Sequence, residues 1–306
     1  MVHVVWGWLT ALDLFLIGTA GGAAITSGAV HILGKDKYNA LAEAGAYLAP
    51  LLGLASLLTV MLDLGRLPVA PMNVLYVINH LPESMISLGT VFRVAFIAVA
   101  TLNAILWFFR KETLVNLVVR IICGAVNMVL GFLVTIYPGI MLSFAMGKPF
   151  WSSPVFPWVI SVSGILSGLV LSALSIPIIG VLVPRLTPAL LEARRTVLIH
   201  KIPEKVGSCM SALIIIELVL VFVYLNSVSG TVGATVVFTN PMVSMFFWGG
   251  FIFLGLILPL IIFVLEKLRL GLPFSVWIII LYICFILVAV GAVAARYSLL
   301  VAGQIL

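Results

Sequence analysis

Charged residues are scarce in this chain. Its 306 residues include 16 Lys and Arg and 10 Asp and Glu, together 8% of the sequence, whereas 63% are hydrophobic. Soluble domains carry about 25% charged residues, so this composition excludes a water-soluble protein of this length. It also excludes a disordered chain, a collagen and a disulfide scaffold. The remaining class is an all-α integral membrane protein, which is embedded in the lipid bilayer and has lipid as a partner.

Cysteine and histidine are also few, which limits metal chemistry. The three cysteines all lie inside apolar runs, without a Cys or His neighbour at metal-ligand spacing. We therefore predict no disulfide framework and no zinc or iron–sulfur site in this chain. Of the four histidines, only His31 lies near a predicted membrane span. A bis-His haem needs two facing histidines inside the membrane, so we expect neither haem nor metal.

Eight apolar segments follow one another along the chain. Each reaches the ~20 residues that cross a ~30 Å hydrocarbon core at about 1.5 Å per residue. The short alternating segments of a β-barrel are not seen, and the first segment lacks the basic leader of a cleaved signal peptide. We predict a single polytopic domain over residues 1–306. The predicted spans are about 4–32, 38–64, 84–109, 114–146, 155–183, 206–227, 240–265 and 272–303.

Lys and Arg residues are distributed unequally between the two sets of connections. Eleven of the 16 follow spans one, three, five and seven, whereas the opposite face has Arg66, Lys148 and Arg296. Short cytoplasmic loops are enriched in Lys and Arg, so we place these four connections in the cytoplasm. Both termini then lie on the outer side of the cytoplasmic membrane. The net charge of +6 therefore reflects membrane orientation and does not indicate a nucleic-acid partner.

Five of the charged residues inside the predicted spans are notable, because a charge there costs about 3 kcal/mol or more. Helix rise places Asp13, Arg93 and Glu217 at depths of about 14–16 Å, so we expect them to share one layer. Two carboxylates and one guanidinium in that layer predict an ion-paired cluster. The other two residues, Glu43 and Arg120, lie toward the cytoplasmic ends of their spans.

These intramembrane charges permit two interpretations. In one, Arg93 and Glu217 form a structural pair that holds helices together, while Glu43 and Arg120 extend to the membrane interface. Asp13 differs, because its own helix offers no basic partner, and this favours a functional carboxylate. In the other interpretation, a proton relay runs from Asp13 toward the cytoplasm. Its members are Arg93, Glu217, Glu43, Arg120 and His31.

Span four contains a tyrosine beside a proline, within TIYPGIMLSF. Pro138 cannot donate a backbone hydrogen bond, so it frees a carbonyl one turn earlier. The phenol of Tyr137 needs a partner when it is buried, and a quinone carbonyl would suit it. In span one, Gly18 and Gly22 have the small-xxx-small spacing that is typical of close helix packing.

Four stretches of the sequence resemble the NrfD/PsrC-like family, the membrane subunits of polysulfide reductase and related molybdoenzyme complexes. The stretches occur in the family's order and together span most of the chain. They are WGWLTALDLFLIGTAGG in span one, LDLGRLP at 62–68 with SLG at 87–89, TIYPGIMLSFAMGKPFWSSPVFPWVISVSGILSG at 135–168, and ARYSLLVAGQ at 295–304.

The resemblance implies eight transmembrane helices in two four-helix bundles. It also implies a quinone, such as menaquinone, bound near the outer membrane surface, with no haem in the protein. An iron–sulfur subunit would dock on that face, and a molybdopterin subunit would carry out the terminal chemistry. Complexes of this kind serve anaerobic respiration, including sulfur metabolism.

The resemblance also implies site residues. By position, Asp13 and Tyr137 fall in the family's quinone pocket, with Thr10 as a further polar contact. The polysulfide reductase pattern has a histidine in place of Asp13 and an asparagine in place of Thr10. Asp13 would act as the proton acceptor when electrons leave the quinol. For docking of the iron–sulfur subunit, the outer connection offers Asn79, His80 and Glu83.

Three functional hypotheses remain open from the sequence. The first is a quinone-interacting anchor subunit that exchanges electrons between menaquinol and an outer-face iron–sulfur subunit. The second is a secondary transporter with a midplane site around Asp13, Arg93 and Glu217, although no internal repeat is visible. The third is a purely structural anchor that has no quinone site.

Overall fold

A computed structural model gives the fold of the protein. It describes residues 6–33, 38–63, 81, 83–109, 114–145, 147–182, 202–267 and 274–305. All regular secondary structure in these ranges is helical. Eight segments within them are long and apolar enough to cross a membrane. The chain is therefore a multi-pass membrane protein, and the predicted all-α fold class with eight spans is confirmed.

Each of the first six spans is a single helix. Their apolar side chains suit hydrocarbon, and the helix satisfies its own backbone N–H and C=O groups, which lipid cannot do. The third span begins where the Ser84 side chain accepts a hydrogen bond from the backbone N–H of Ser87. The six helices are α1 (Trp8–Ile32), α2 (Asn39–Asp63), α3 (Met85–Phe108), α4 (Leu114–Ser143), α5 (Phe156–Leu182) and α6 (Ile202–Ser227).

The last two spans follow a short helix, α7 (Val232–Thr239). The seventh span begins at Asn240, whose side chain accepts the backbone N–H groups of Met242 and Val243. A π-helix then forms the middle of this span, which is an uncommon conformation. The elements are α8 (Pro241–Ser244), the π-helix (Met245–Ile257) and α9 (Leu258–Lys267), followed by the eighth span, α10 (Phe274–Gln304).

The eight spans form two groups of four helices. In the first group, α1 packs against α2 and α4, and α3 packs against α2 and α4. The second group contains α5, α6, the seventh span and α10. The two most buried spans, α1 and α5, provide the main contact between the groups. This arrangement agrees with the two four-helix bundles that the resemblance implies.

Glycines line the interfaces that α1 forms with α4 and α5. A Cβ atom at Gly22 or Gly168 would overlap the backbone of the facing helix, and one at Gly21 would overlap the backbone of α4. Gly18 and Gly22, which have the predicted small-xxx-small spacing, both meet Gly164 of α5. Small residues let two backbones approach closely, and such packing stabilises helix pairs in lipid, where the hydrophobic effect is absent.

The start of α1 and the end of α10 lie side by side at one end of the bundle. The backbone N–H of Trp6 donates to Gln304 Oε1 at 2.8 Å, and Gln304 Nε2 donates to the Trp6 carbonyl at 2.8 Å. The Trp6 ring stacks on Trp151, and the Lys148 ammonium donates to the Gln304 carbonyl at 2.9 Å. We call this end the termini face. The opposite end carries His31, at the end of α1.

Large apolar side chains cover the outer sides of the bundle. Leu102 of α3, Ile122 of α4 and Phe222 of α6 are all exposed. A broad exposed apolar surface marks a membrane interaction site. These side chains therefore face lipid, as expected for a membrane-spanning bundle.

Replacing Gly22 by Ala is expected to destabilise the bundle, because the added Cβ would overlap the backbone around Gly164. Overpacking of this kind costs about 1–3 kcal/mol. The matched control is Gly249→Ala in the seventh span, where a Cβ would meet no other atom within 4 Å. Thermal unfolding in detergent should show a lower midpoint for G22A and not for G249A. Equal midpoints would show that the α1–α5 interface tolerates extra volume.

Candidate functional site

A cavity of about 180 Å³ lies among α1, α2, α3 and α4, near the termini face. An apolar cavity of about 150 Å³ is large enough to bind benzene, so this one has room for the ring of a small organic ligand. Its walls combine many apolar side chains with a few polar ones, as ligand sites typically do. The lining residues are Trp6, Thr10, Asp13, Leu14, Ile17, Val60, Asp63, Ile86, Gly89, Thr90, Phe92, Arg93, Val134, Tyr137, Pro138, Met141, Leu142 and Leu300.

The cavity brings together side chains that are far apart in the sequence. Thr10, Asp13 and Tyr137, which the resemblance places at a ligand site, all line it. Arg93, predicted as a relay residue, also lines it. Asp63 is a further lining residue that was not predicted from the sequence.

Asp13 is held by charge-assisted hydrogen bonds on the wall of this cavity. Arg93 donates through Nη1 to Oδ1 and through Nη2 to Oδ2, both at 3.0 Å. The Ser56 hydroxyl also donates to Oδ1, at 2.5 Å. The two parallel bonds match the planar guanidinium to the planar carboxylate. Because Asp13 is only 6% exposed, this pair neutralises a charge that would otherwise be costly to bury.

Arg93 therefore pairs with Asp13 and not with Glu217, which corrects one interpretation of the sequence. The reason is helix packing, since α3 belongs to the first group of helices and Glu217 lies on α6 in the second group. Glu217 is completely buried and interacts electrostatically with Arg296 of α10. The predicted ion-paired cluster therefore holds for Asp13 and Arg93, whereas Glu217 is not part of it.

The second group of helices thus has a buried charge pair of its own. Arg296, assigned from the sequence to the outer face, is 1% exposed and donates through Nη2 to the Ile160 carbonyl at 3.0 Å. Glu217 also faces Ser163 of α5. This pair lies away from the cavity lining, so it does not contribute to the candidate site.

A stripe of polar side chains on α2 faces α1. Ser56, Thr59 and Asp63 are three and four residues apart, which places them on one side of a helix. Ser56 binds Asp13, and Asp63, the last residue of α2, accepts a hydrogen bond from the Thr10 hydroxyl at 2.8 Å. Asp63 is exposed at the termini face and interacts electrostatically with Asp13. The spacing of this stripe is the sequence signal that identifies Asp63.

Tyr137 forms part of the opposite wall of the cavity, on α4. Its hydroxyl donates to the Met85 carbonyl at the start of α3. Its ring contacts Phe92 edge to face, with centroids 5.5 Å apart, and lies so close to Gly89 that a Cβ there would overlap it. A ligand carbonyl could accept the phenol hydrogen in exchange for the carbonyl of Met85.

Pro138 lies on the same wall of the cavity. Proline has no N–H, so the carbonyl of Val134, four residues earlier, loses its usual helical donor. Both Val134 and Pro138 line the cavity. The freed carbonyl predicted from the sequence therefore belongs to the part of α4 that borders the cavity.

Three predicted relay residues lie around Trp107, near the opposite end of the first group. The guanidinium of Arg120 is 4.9 Å from the Trp107 ring centroid, and His31 contacts the same ring edge to face at 5.1 Å. Glu43 lies on the part of α2 that packs against Trp107, and it accepts a hydrogen bond from the Tyr47 hydroxyl at 3.0 Å. We call these five residues the Trp107 cluster.

The Trp107 cluster is far from the cavity. Asp13 and His31 both lie on α1 and are separated by about 27 Å, given 18 residues at helix rise. Hydroxyl groups occur between them, including Thr19, which shares a hydrogen bond of 2.9 Å with Ser167 of α5. A continuous relay through these groups stays a prediction.

One of the three predicted docking residues, Glu83, lies at the termini face. Asn79 and His80 fall outside the described residues. Glu83 is described and is exposed just before α3, where a partner protein can reach it. In the part of the sequence that the structure describes, no three His, Cys, Asp or Glu residues come together as a metal site would need.

Comparison with known proteins assigns the family. The family described as "Polysulphide reductase, NrfD" matches residues 1–306. The C subunit of polysulfide reductase from Wolinella succinogenes is 28% identical over 317 aligned residues, which cover 98% of this chain and 95% of that protein. The protein described here belongs to the NrfD family, and the resemblance found in its motifs is confirmed.

Breaking the Asp13–Arg93 pair from either side is expected to cost more stability than removing both charges. Asp13→Asn leaves a guanidinium without its counter-charge, and Arg93→Gln leaves a carboxylate without one, each at a cost of about 3 kcal/mol. The double variant D13N/R93Q leaves no unpaired charge. Thermal unfolding in detergent should rank the double variant above both single variants. If the double variant lost as much stability as the two single variants lose together, the charges would not be coupled.

Proposed function

We propose that this protein is the quinone-binding membrane subunit of a multi-subunit reductase complex in the cytoplasmic membrane. The NrfD family and the relative named as a polysulfide reductase subunit support a membrane subunit of such a complex. The observation that carries the quinone assignment is the cavity near the termini face. Its lining contains Thr10, Asp13 and Tyr137, the three residues that the family resemblance implies for a quinone pocket.

The residues of the cavity suit a quinone ring. Ile17 and Val134 contribute apolar surface for the ring and its first isoprenoid carbons. The hydroxyl groups of Thr10 and Tyr137 come from α1 and α4, so they can bind oxygens at different edges of the ring. In such a site the apolar walls give affinity for the ligand, and the few polar groups fix its orientation.

The chemistry assigned to this subunit is proton handling and orientation. When bound, menaquinol supplies two electrons and two protons. Tyr137 and Thr10 hold its oxygens by hydrogen bonds, and the apolar walls exclude water. Asp13 is the proposed proton acceptor. Because Arg93 and Ser56 occupy both of its oxygens, Asp13 takes a proton in exchange for one of these hydrogen bonds.

Electrons leave through partner subunits. The proposed orientation places the termini face outside the cell membrane, where Glu83 is exposed for docking of an iron–sulfur subunit. A molybdopterin subunit beyond it would carry out the terminal chemistry. The relative's name indicates polysulfide for that protein, and we propose sulfur compounds as the substrate class in anaerobic respiration here. In the reverse direction the same cavity would serve quinone reduction.

The proposed proton relay connects this site with the opposite face. Its members would be the Asp13–Arg93 pair, Glu217 and three residues of the Trp107 cluster, Arg120, His31 and Glu43. The clustering of Arg120, His31 and Glu43 around one ring supports a local proton-exchange site at that end.

Replacing Tyr137 by Phe is expected to weaken binding of a quinone analogue about tenfold. The variant loses one hydrogen bond, which is worth about 1.4 kcal/mol or a factor of ten in affinity. Tyr282→Phe on α10 is the matched control, because that tyrosine does not line the cavity. Titration of the purified complex with a fluorescent hydroxyquinoline N-oxide measures both variants. Equal affinities for Y137F and wild type would remove Tyr137 from the site.

Purification of a tagged copy from native membranes tests the assembly. In mild detergent, the tagged protein should bring with it a subunit that shows the paramagnetic resonance signals of reduced iron–sulfur clusters. A protein that purifies alone would contradict the proposed complex and favour a transporter. A complete complex that does not bind the quinone analogue would instead favour a structural anchor.

A further inference from the structure

Two asparagine side chains are buried inside the first group of helices without a hydrogen-bond partner among the described residues. Asn103 of α3 and Asn127 of α4 are both fully buried. Neither the amide nitrogen nor the amide oxygen of either side chain forms a hydrogen bond with another described residue. A buried polar group that is left unsatisfied costs free energy, so four such atoms in one group of helices require an explanation.

Many other polar side chains of this protein bind the backbone of their own helix. Asn226 on α6 donates through Nδ2 to the Phe222 carbonyl at 2.8 Å, and the Ser172 hydroxyl on α5 donates to a carbonyl one turn earlier at 2.7 Å. A helix cannot supply a donor to an amide oxygen in this way, because its interior N–H groups already bind carbonyls of the same helix. The two buried amide oxygens therefore need a donor from outside their own helices.

The two amides lie at different heights along the bundle. The Cys123 thiol of α4 donates to the Val99 carbonyl of α3 at 4.0 Å, so these two residues are at one level. Asn127 is four residues from Cys123 toward the termini face, and Asn103 is four residues from Val99 toward the opposite end. At helix rise the amides are thus about 12 Å apart along the bundle. This distance is too long for a direct hydrogen bond between them.

The interior between the two amides has room beside Gly124 of α4. This glycine is buried and directly follows Cys123, so its height lies between those of the two amides. A Cβ atom at Gly124 would meet a single atom within 4 Å, the Cα of Gly28 at 3.8 Å. The other buried glycines of α1 and α4 are packed more tightly, each with an atom at 3.3 Å or less from such a Cβ. Internal water needs space of this kind together with polar partners.

We propose that Asn103 and Asn127 bind a chain of internal water molecules inside the first group of helices. Water donates to an amide oxygen and accepts from an amide N–H, so it satisfies all four buried atoms. A buried water molecule typically makes about three hydrogen bonds, and about three molecules at ordinary hydrogen-bond lengths bridge the two amides. The site lies between the cavity and the Trp107 cluster. The inference does not depend on the proposed function, because it holds whether or not a quinone occupies the cavity.

X-ray footprinting of the protein, purified from native membranes in detergent, tests for this water. Brief irradiation splits water into hydroxyl radicals, and radicals that form from bound water oxidise cysteine side chains beside it. Cys123 should therefore be oxidised faster than Cys284 of α10, a cysteine buried in the second group. Peptide mass mapping measures both rates. Equal rates for the two cysteines would overturn the inference.

Replacing both asparagines by leucine should remove the polar partners that hold the water. In N103L/N127L the oxidation of Cys123 should slow severalfold, whereas Asn226→Leu, the matched control at an exposed position of α6, should keep the wild-type rate. An unchanged rate in the double variant would contradict bound water at these amides. If the double variant does not fold, Gly124→Ala takes its place, because its methyl group fits without overlap and displaces water. Oxidation of Cys123 should slow in G124A as well, and a wild-type rate there would equally overturn the inference.

Discussion

The ion pair between Asp13 and Arg93 is the constraint on which the candidate site depends. A charge in hydrocarbon costs several kcal/mol, so each side chain needs the other as its counter-charge. The two parallel hydrogen bonds fix the distance between α1 and α3, and Ser56 adds α2 to the same point. With three helices held in this way, the space left beside α4 keeps its shape. The cavity is thus a consequence of how the buried charges are neutralised.

The helix α1 both packs closely against its neighbours and contributes polar side chains to the cavity. Its glycines face α4 and α5, where Gly21 and Gly22 allow the backbones to approach closely. Its polar residues, Thr10 and Asp13, face α2 and the cavity. Close packing on one side makes the other side rigid, so the ligand-facing groups are held in place by a supporting structure. Side chains on such a rigid element need little reordering when a ligand binds.

Much of the fold could be predicted from the sequence, because hydrophobic length and the scarcity of charge report directly on membrane spans. The resemblance also placed Thr10, Asp13 and Tyr137, which the structure brings to one cavity. Helix rise grouped Arg93 with both Asp13 and Glu217, and it could not show that only Asp13 is its partner, since it gives depth in the membrane but not which helices are neighbours. Asp63 was missed because a carboxylate at the end of a span has the pattern of an ordinary interfacial residue. Only its spacing from Ser56 reveals a shared face.

The most direct measurement of the central claim is photoaffinity labelling of the assembled complex with an azido-naphthoquinone, followed by peptide mapping. A quinone in the cavity should label peptides of α1, α2, α3 or α4 that contain lining residues, and excess menadione should compete with the label. Labelling confined to the second group of helices, or labelling that menadione does not reduce, would contradict a quinone site between α1 and α4.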